Sequence, residues 1–402
     1  MRTLIPILLY ALFSSKAVGA GHLNHEGAGG APQHIYIAIR SDGLVGSGTK
    51  ADPFDGSVSA KLDAVLRGIH NGTTVHFGPG TFLSSGFRDD DSETGFSVKP
   101  KCRYLGAGSN MTTFKITSVR RNSHLACAFC SGGTNGDVSG ASVENVTLDM
   151  NGAEIVAANN PDLSTYGVLL PGSNNIIRKV HLIGVYGHFA TLREAFGLGT
   201  AASATNSTPS GNLIEDCVVD DFAAGYDYGQ MICIRGGIAR NNWVIGQTTL
   251  TSAYQAYGAN AVLDRCYAFN CRTFLYMDTG DVGPLSVKNC RAWGITGEFV
   301  NLAPSAGFTH HDVKVVNNAV EFGVTGTFFS ATPGGAGARL YNLSVLNNTA
   351  NQRGGEYTPI NVNRVLNFQS GGNHWLKPNA PKQAANGTTV PSASWRGIAA
   401  VK

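Results

Sequence analysis

Charge is scarce in this chain. Asp, Glu, Lys and Arg make up 14% of its 402 residues, against about a quarter in ordinary globular proteins. With so few charges and an apolar fraction of 43%, disorder through self-repulsion is excluded. Long apolar runs are missing too. Beyond residue 20 no stretch offers 18 uncharged apolar residues, so no membrane-spanning helix is expected. There is no sustained heptad and no A/E/K/L/R-rich segment, which excludes a coiled coil. The 51 glycines follow no three-residue period, which excludes collagen. What is present is abundant Gly, Asn, Thr and Val, the composition of a β-rich protein with many turns.

Residues 1–20 read as a secretory signal. Arg2 supplies the positive start, Leu4–Phe13 an apolar run too short to span a membrane, and Val18-Gly19-Ala20 a small-residue cleavage site. Cleavage after Ala20 leaves 28 basic against 27 acidic residues, a formal charge of +1. Such a chain has no overall field for nucleic acid or an anionic membrane. It is expected as a soluble monomer, secreted or periplasmic. All eight cysteines (Cys102, Cys127, Cys130, Cys217, Cys233, Cys266, Cys271 and Cys290) lie in the mature part. Export permits disulfides, but a chain of this length buries a large core without them. Cys127-Ala-Phe-Cys130 has the spacing of a redox or zinc motif, yet no second CxxC and no suitably spaced His pair accompanies it. A local disulfide or buried thiols are expected there.

A short pattern recurs along the chain: apolar, two residues, then Val, Cys, Asn or Leu, one residue, then apolar. Its central positions are Val146, Val180, Cys217, Asn242, Cys266, Cys290, Asn318 and Leu343, at spacings of 34, 37, 25, 24, 24, 28 and 25. A period near 25 with one-residue alternation means short strands, not helix pairs. A dense Leu consensus is absent, and propeller blades need about 40 residues each. The remaining solution is all-β, a single-stranded right-handed parallel β-helix in which coils stack by ~4.8 Å. Cys217, Asn242, Cys266, Cys290 and Asn318 then form one column, a packed ladder and not a metal site. Residues 57–70 carry helical periodicity at 58, 62, 65, 66 and 69 and are expected to cap the open first coil. Thr74–Phe77, Gly78-Pro-Gly80 and Thr81-Phe82 read as strand, turn, strand. The organisation is therefore a signal over 1–20, a linker over 21–34, the β-helix over 35–371, and a C-terminal cap or tail over 372–402.

The opening Ile35-Tyr-Ile37, Ser41-Asp-Gly43, Gly48-Thr49 and Asp52-Pro-Phe54, with the capping helix and Gly78-Pro-Gly80-Thr-Phe82, resembles that of exported pectate-lyase-like proteins. The resemblance implies the pectin-lyase fold. That superfamily holds polysaccharide lyases, glycoside hydrolases, uronate epimerases, phage depolymerases and adhesins, so it points to glycans without fixing a reaction. The signatures of its better-known branches are missing. Asp220-Asp221 and Gly187-His188-Phe189 are partial matches to polygalacturonase elements in the wrong order, and Asp52-Pro-Phe-Asp55 matches an epimerase motif only superficially and reads as a turn.

The long spacings place extra loops near 154–166 and 189–210, where function tends to concentrate on a rigid scaffold. Candidate catalytic residues near them are His188, Arg193, Tyr226, Asp227, Arg272 and Asp278; candidate substrate-binding residues are Tyr254, Tyr276 and Glu298. Three functions compete. A polyuronate lyase needs a cation for the carboxylate, Arg193 or Arg272, and a base, His188 or Tyr226. A glycoside hydrolase needs two carboxyl groups, Asp227 with either Asp278 or Glu298. A non-catalytic glycan-binding or surface protein needs only aromatics and polar ladders. The lyase is the leading expectation, with a polysaccharide as partner. The cofactor is left open: Asp89-Asp-Asp91 with Glu93 offers oxygens for Ca²⁺ but lacks the regular spacing of a calcium loop. His310-His311-Asp312 reads either as a metal-binding pair or as a turn between coils. Seven Asn-x-Ser/Thr sites, including Asn145 and Asn342, are expected to be incidental to an Asn- and Thr-rich bacterial chain. A segment of loop, 196–208, is expected to be dispensable for folding.

Overall fold

In the computed structural model the described residues are 33–377, without 89–95, 118–124, 132–135, 153, 155–163, 186–194, 221–228, 247–251, 324 and 353–356. The strands pair almost entirely in parallel, each with its counterpart one coil on. A coil lays a strand on each of three faces: Gly237–Arg240, Trp243–Ile245 and Ser252–Tyr257 make one, and Ala261–Asp264, Tyr267–Phe269 and Thr273–Met277 the next. The first two faces merge in a 22-stranded sheet, and the third is a separate sheet of 11 strands. This is the right-handed parallel β-helix.

Between the first and second faces the chain turns through one residue in the left-handed region. Asn145, Lys179, Asp216, Asn241, Arg265, Asn289, Asn317 and Asn347 all have φ between 51° and 61°. Asn dominates because its short polar side chain tolerates that conformation. The next residue points inward and is buried: Val146, Val180, Cys217, Asn242, Cys266, Cys290, Asn318 and Asn348, and likewise Asn373 after Gly372, with φ of 64°. From Cys217 on, each donates to the carbonyl three residues ahead of the preceding corner residue. The pairs are Cys217 to Ile177 (3.6 Å), Asn242 to Ile214 (2.9 Å), Cys266 to Ala239 (3.3 Å), Cys290 to Leu263 (3.7 Å), Asn318 to Val287 (3.0 Å), Asn348 to Val315 (2.9 Å) and Asn373 to Val345 (2.9 Å). Each Asn also accepts the N–H of the preceding corner residue, as Asn242 Oδ1 does from Cys217 and Asn348 Oδ1 from Asn318. The expected column is present, and thiols and amides fill it interchangeably. All eight cysteines are free thiols.

The last coils depart from the sequence reading. Asn318 is followed in its column by Asn348 and then Asn373, whereas Leu343 pairs with Val313. The strands Thr309–Val316 and Arg339–Leu346 are longer than their immediate predecessors because they run on through a left-handed residue, Asp312 and Asn342, whose equivalents Gly211, Gly236 and Asn260 precede the strand. The apolar rhythm Leu340, Leu343, Val345 belongs to that strand and falls one corner early. His310-His311-Asp312 is accordingly strand and not turn. His310 points inward, fully buried, with no hydrogen-bond partner for either ring nitrogen. Burial pushes its imidazole down to about 4.

The loops expected over 154–166 and 189–210 also contain strands. Ser164–Pro171 and Ala195–Ala201 lie in the third face, with Val168 and Leu198 in the core. Ala195–Ala201 hydrogen-bonds on both sides, to Ser164–Pro171 and Gly229–Arg235, so residues 196–201 are built into the third face.

The helix, Ser59–Arg67, sends Leu62 and Leu66 into the core. Its buried Asp63 accepts hydrogen bonds from Ser84 Oγ (2.6 Å) and Ser85 Oγ (2.7 Å), tying the cap to the first coil. On the outer side of the first face, Glu144, Arg178, Glu215, Arg240, Asp264 and Lys288 are successive register partners, a column of alternating charge. Among the described residues no helix is long and apolar enough to cross a membrane.

Candidate functional site

The third face follows strict alternation where it matters. One column, Val168, Leu198, Ile232, Tyr254, Leu275, Val300, Phe329 and Ile360, faces the core and is buried throughout. The next residue of each strand faces outward: Leu169, Gly199, Cys233 and Gln255 in register, then Tyr276, Asn301, Ser330 and Asn361 in register. Gly199 carries no side chain and leaves a notch between Leu169 and Cys233. A groove of about 420 Å³ opens there, lined by Tyr166, Leu169, Gly199, Thr200, Cys233, Arg235, Gln255, Tyr257, Asp278 and Thr279, among others.

Its polar groups are not all satisfied. The Gln255 side chain is 2% exposed, and its Nε2 has no hydrogen-bond partner. The Nε of Arg235 is likewise buried without a partner, and its guanidinium lies over the Tyr257 ring, 5.9 Å from the centroid. Neither Arg235 nor Asp278 has an ion-pair partner among the described residues. Thr200 Oγ1 accepts the Arg235 backbone N–H at 2.9 Å, fixing the strand that carries the cation. Buried polar atoms in folded proteins are nearly always paired. Orphaned donors from two adjacent strands, with an unpaired cation and carboxylate in one concavity, are what a ligand site presents.

The residues expected from sequence are scattered across this geometry. His188, Arg193, Tyr226 and Asp227 lie outside the described residues, as do Asp89–Asp91 and Glu93. Asp278 lines the groove. Tyr276 faces outward from the adjoining strand, between the buried Leu275 and Met277. Tyr254 is not at the surface: its ring is wholly buried, and its hydroxyl lies 2.9 Å from the Asn242 carbonyl and 2.7 Å from that of Tyr267. Arg272 is exposed at the start of the strand Thr273–Met277, at the opposite end from Asp278. Glu298 sits at that same far end and accepts a hydrogen bond from Thr273 Oγ1 at 3.2 Å. Five residues of strand separate the Thr273 level from Asp278, roughly 16 Å along the strand direction. Asp278 and Glu298 are therefore not a hydrolytic pair, which needs ~5–9.5 Å. Among the described residues no group of three or more His, Cys, Asp or Glu is placed to hold a metal ion. Cys127 and Cys130 are buried one coil earlier, in register with Tyr166 and Leu169 and packed against them, beside one end of the groove.

No protein-family model and no curated protein sequence matches the chain. Solved structures do. The chain is similar to an endo-xylogalacturonan hydrolase from Aspergillus tubingensis, at a TM-score of 0.58 and 11% identity, covering 91% of this chain and 98% of that one. It is similar to the catalytic domain of a GH87 α-1,3-glucanase, at a TM-score of 0.51 and 11% identity, over 91% and 69% of the two chains. It is also similar to the tailspike of E. coli bacteriophage HK620, at a TM-score of 0.50 and 12% identity, over 80% and 63%. These likenesses establish the pectin-lyase type of parallel β-helix.

Proposed function

We propose that this protein is exported, binds an acidic polysaccharide in the third-face groove, and cleaves it by β-elimination. The observation that carries the reading is the Arg235 guanidinium, which has no ion-pair partner among the described residues and lies over Tyr257, in the same groove as Gln255, whose Nε2 has no hydrogen-bond partner among them. A uronate carboxylate satisfies both: a planar guanidinium takes a carboxylate through two parallel hydrogen bonds. Neutralising that carboxylate makes the C5 proton easier to remove, and Asp278 or a phenol of the groove, Tyr166 or Tyr257, is positioned as base. His188 and Tyr226, which precede the strands Ala195–Ala201 and Gly229–Arg235 in sequence, remain proposed partners. Elimination is favoured over hydrolysis because the described lining holds a single carboxylate, Asp278. By their names, two of the fold neighbours act on polysaccharides, which accords with a glycan substrate.

The test is incubation with polyuronates while following absorbance near 235 nm, where the unsaturated product absorbs. Arg235→Ala is expected to weaken binding at least tenfold and to make the residual binding less salt-sensitive. Release of reducing ends without that absorbance would identify a hydrolase. Silence in both assays, with binding lost in Arg235→Ala, would identify a glycan-binding protein. Binding and turnover untouched by Arg235→Ala would move the site elsewhere.

A further inference from the structure

The outer side of the second face turns aromatic in the middle of the helix. Trp243–Ile245, Tyr267–Phe269 and Arg291–Ile295 are its strands on three successive coils, paired in register. Alternation sends Val244, Ala268 and Ala292 into the core, where each is buried, so the residues on either side of them face outward. One outward row runs Trp243, Tyr267, Arg291; the other runs Ile245, Phe269, Trp293.

The rings share one orientation. The centroids of Trp243 and Tyr267 are 4.3 Å apart with planes 11° from parallel. Trp293 lies 6.2 Å from Trp243 and 6.4 Å from Tyr267, its plane 6° from each. Phe269 stands beside Trp293 in register. Trp243 is 39% exposed and Phe269 44%, and they are the two aromatics among the exposed large apolar side chains of the described residues. Exposed apolar residues scattered singly need no explanation, but aromatics gathered on adjacent strands do. Stacking between strands accounts for the parallel planes. It does not account for a cluster that faces water, because burial is the larger part of what aromatic side chains contribute. Around the cluster the surface is polar: Arg291 and Asn270 are exposed, and Glu321 follows Trp293 in its row.

Size and charge select the occupant. The cluster is three coils long at ~4.8 Å per coil and two outward residues wide, a footprint on the order of 200 Å². A stable contact with a second copy or another protein needs about 800 Å² on each partner. Nucleobases also stack on aromatic rings, but they bring a phosphate each, and the two rows hold one cation, Arg291, with Glu321 close by. We infer that this cluster is a carbohydrate-binding platform, separate from the third-face groove, and that its ligand is a flat neutral oligosaccharide of the β-1,4-glucan or xylan type. Equatorial hydroxyls leave the axial C–H groups of each sugar on its two ring faces, as apolar patches of slight positive charge. Those patches suit the electron-rich faces of Trp and Tyr, while the hydroxyls along the sugar edges meet Arg291, Asn270 and Glu321. Stacking orients the platform rings before the ligand arrives, which spares ordering cost.

The experiment is titration of the purified protein with cellohexaose and xylohexaose, followed by calorimetry and by tryptophan emission, with trigalacturonate and decathymidylate as anionic probes. Trp243 and Trp293 are two of the four tryptophans of the chain, so occupation of the platform changes the emission. At least one neutral probe is expected to bind with such a change, at least tenfold more weakly in Trp243→Ala and in Phe269→Ala, and unchanged in Arg235→Ala. Both substitutions are at exposed positions, and each gives an independent reading if the other does not fold. The inference is overturned if neither neutral probe binds, if either folded variant binds like the parent, or if neutral binding depends on Arg235. It is equally overturned if trigalacturonate or decathymidylate is the ligand the variants lose, or if sedimentation shows a dimer that Trp243→Ala dissolves. Failure of Arg235→Ala to affect polyuronate would count against the third-face groove alone.

Discussion

A buried corner in this β-helix accepts cysteine or asparagine because each places one donor within reach of the same carbonyl. The amide does more, since it also accepts the N–H of the preceding corner residue. Asn318→Ala removes the bond to Val287 and the acceptor for Cys290 N–H, and is expected to cost about 2–4 kcal/mol. Cys266→Ala loses one thiol contact and a small volume, about 1–2 kcal/mol. Denaturant titration of the two variants checks the order. His310 has the opposite problem, a polar ring in the core with no partner. Its folded pKa of about 4 lies below the ordinary 6.5, so the unfolded chain takes up the proton first. Stability is therefore full above pH 6.5 and falls as pH drops from 6.5 to 4, by about 3 kcal/mol for this group. His310→Leu should flatten that part of the stability-against-pH curve; a curve of unchanged slope would remove His310 as its source. The corner column was legible in the sequence because Cys and Asn recur at one spacing. Gln255 was not, since a glutamine in a strand carries no signature until register shows which way it points. Tyr254 was misread for the same reason: residue type suggests an aromatic surface, and only alternation from buried neighbours assigns it to the core.

Strands on the first two faces announced themselves through the apolar-x-x-corner-x-apolar rhythm. Those on the third face did not, because Ser164–Pro171 and Ala195–Ala201 contain glycine and do not carry that rhythm, so the extra length around them read as loop. Deleting 196–208 is now expected to abolish folding, since it removes a central strand and the buried Leu198; a soluble, cooperatively melting deletion variant would contradict the register of the third face. The charge column offers a second check on register. Arg178 bonds Glu215 at 3.1 Å and reaches Glu144 at 3.5 Å. Arg178→Glu would set three carboxylates in adjacent strands, and like charges directly opposite are destabilising by up to about 1 kcal/mol per pair. Its melting temperature should fall below the parent's at low salt and recover part of the difference at 1 M salt, where such charges are screened. Val219 and Val244, both fully buried, should reject Asp at a cost of several kcal/mol.

Taken as a whole molecule, the helix separates its chemistry by face. The third-face groove spans the coils that carry Leu169 to Asp278, and the aromatic platform lies on the second face of the coils that carry Trp243 to Trp293. The fold itself was readable from period alone, whereas the groove depended on two facts that period does not contain: which residues alternate outward, and which polar atoms are left unpaired. The donor ladder carries a further consequence, for size. Each rung from Cys217 to Asn373 bonds only to the coils immediately beside it, and no bond among these skips a coil to measure the total. The protein therefore has a rule for continuing and none for stopping; its length is set by whatever seals the two ends. A copy of residues 266–289, one 24-residue interval of the column, inserted before Cys290 should be absorbed as an additional storey, displacing everything after it by ~4.8 Å along the axis and by nothing across it.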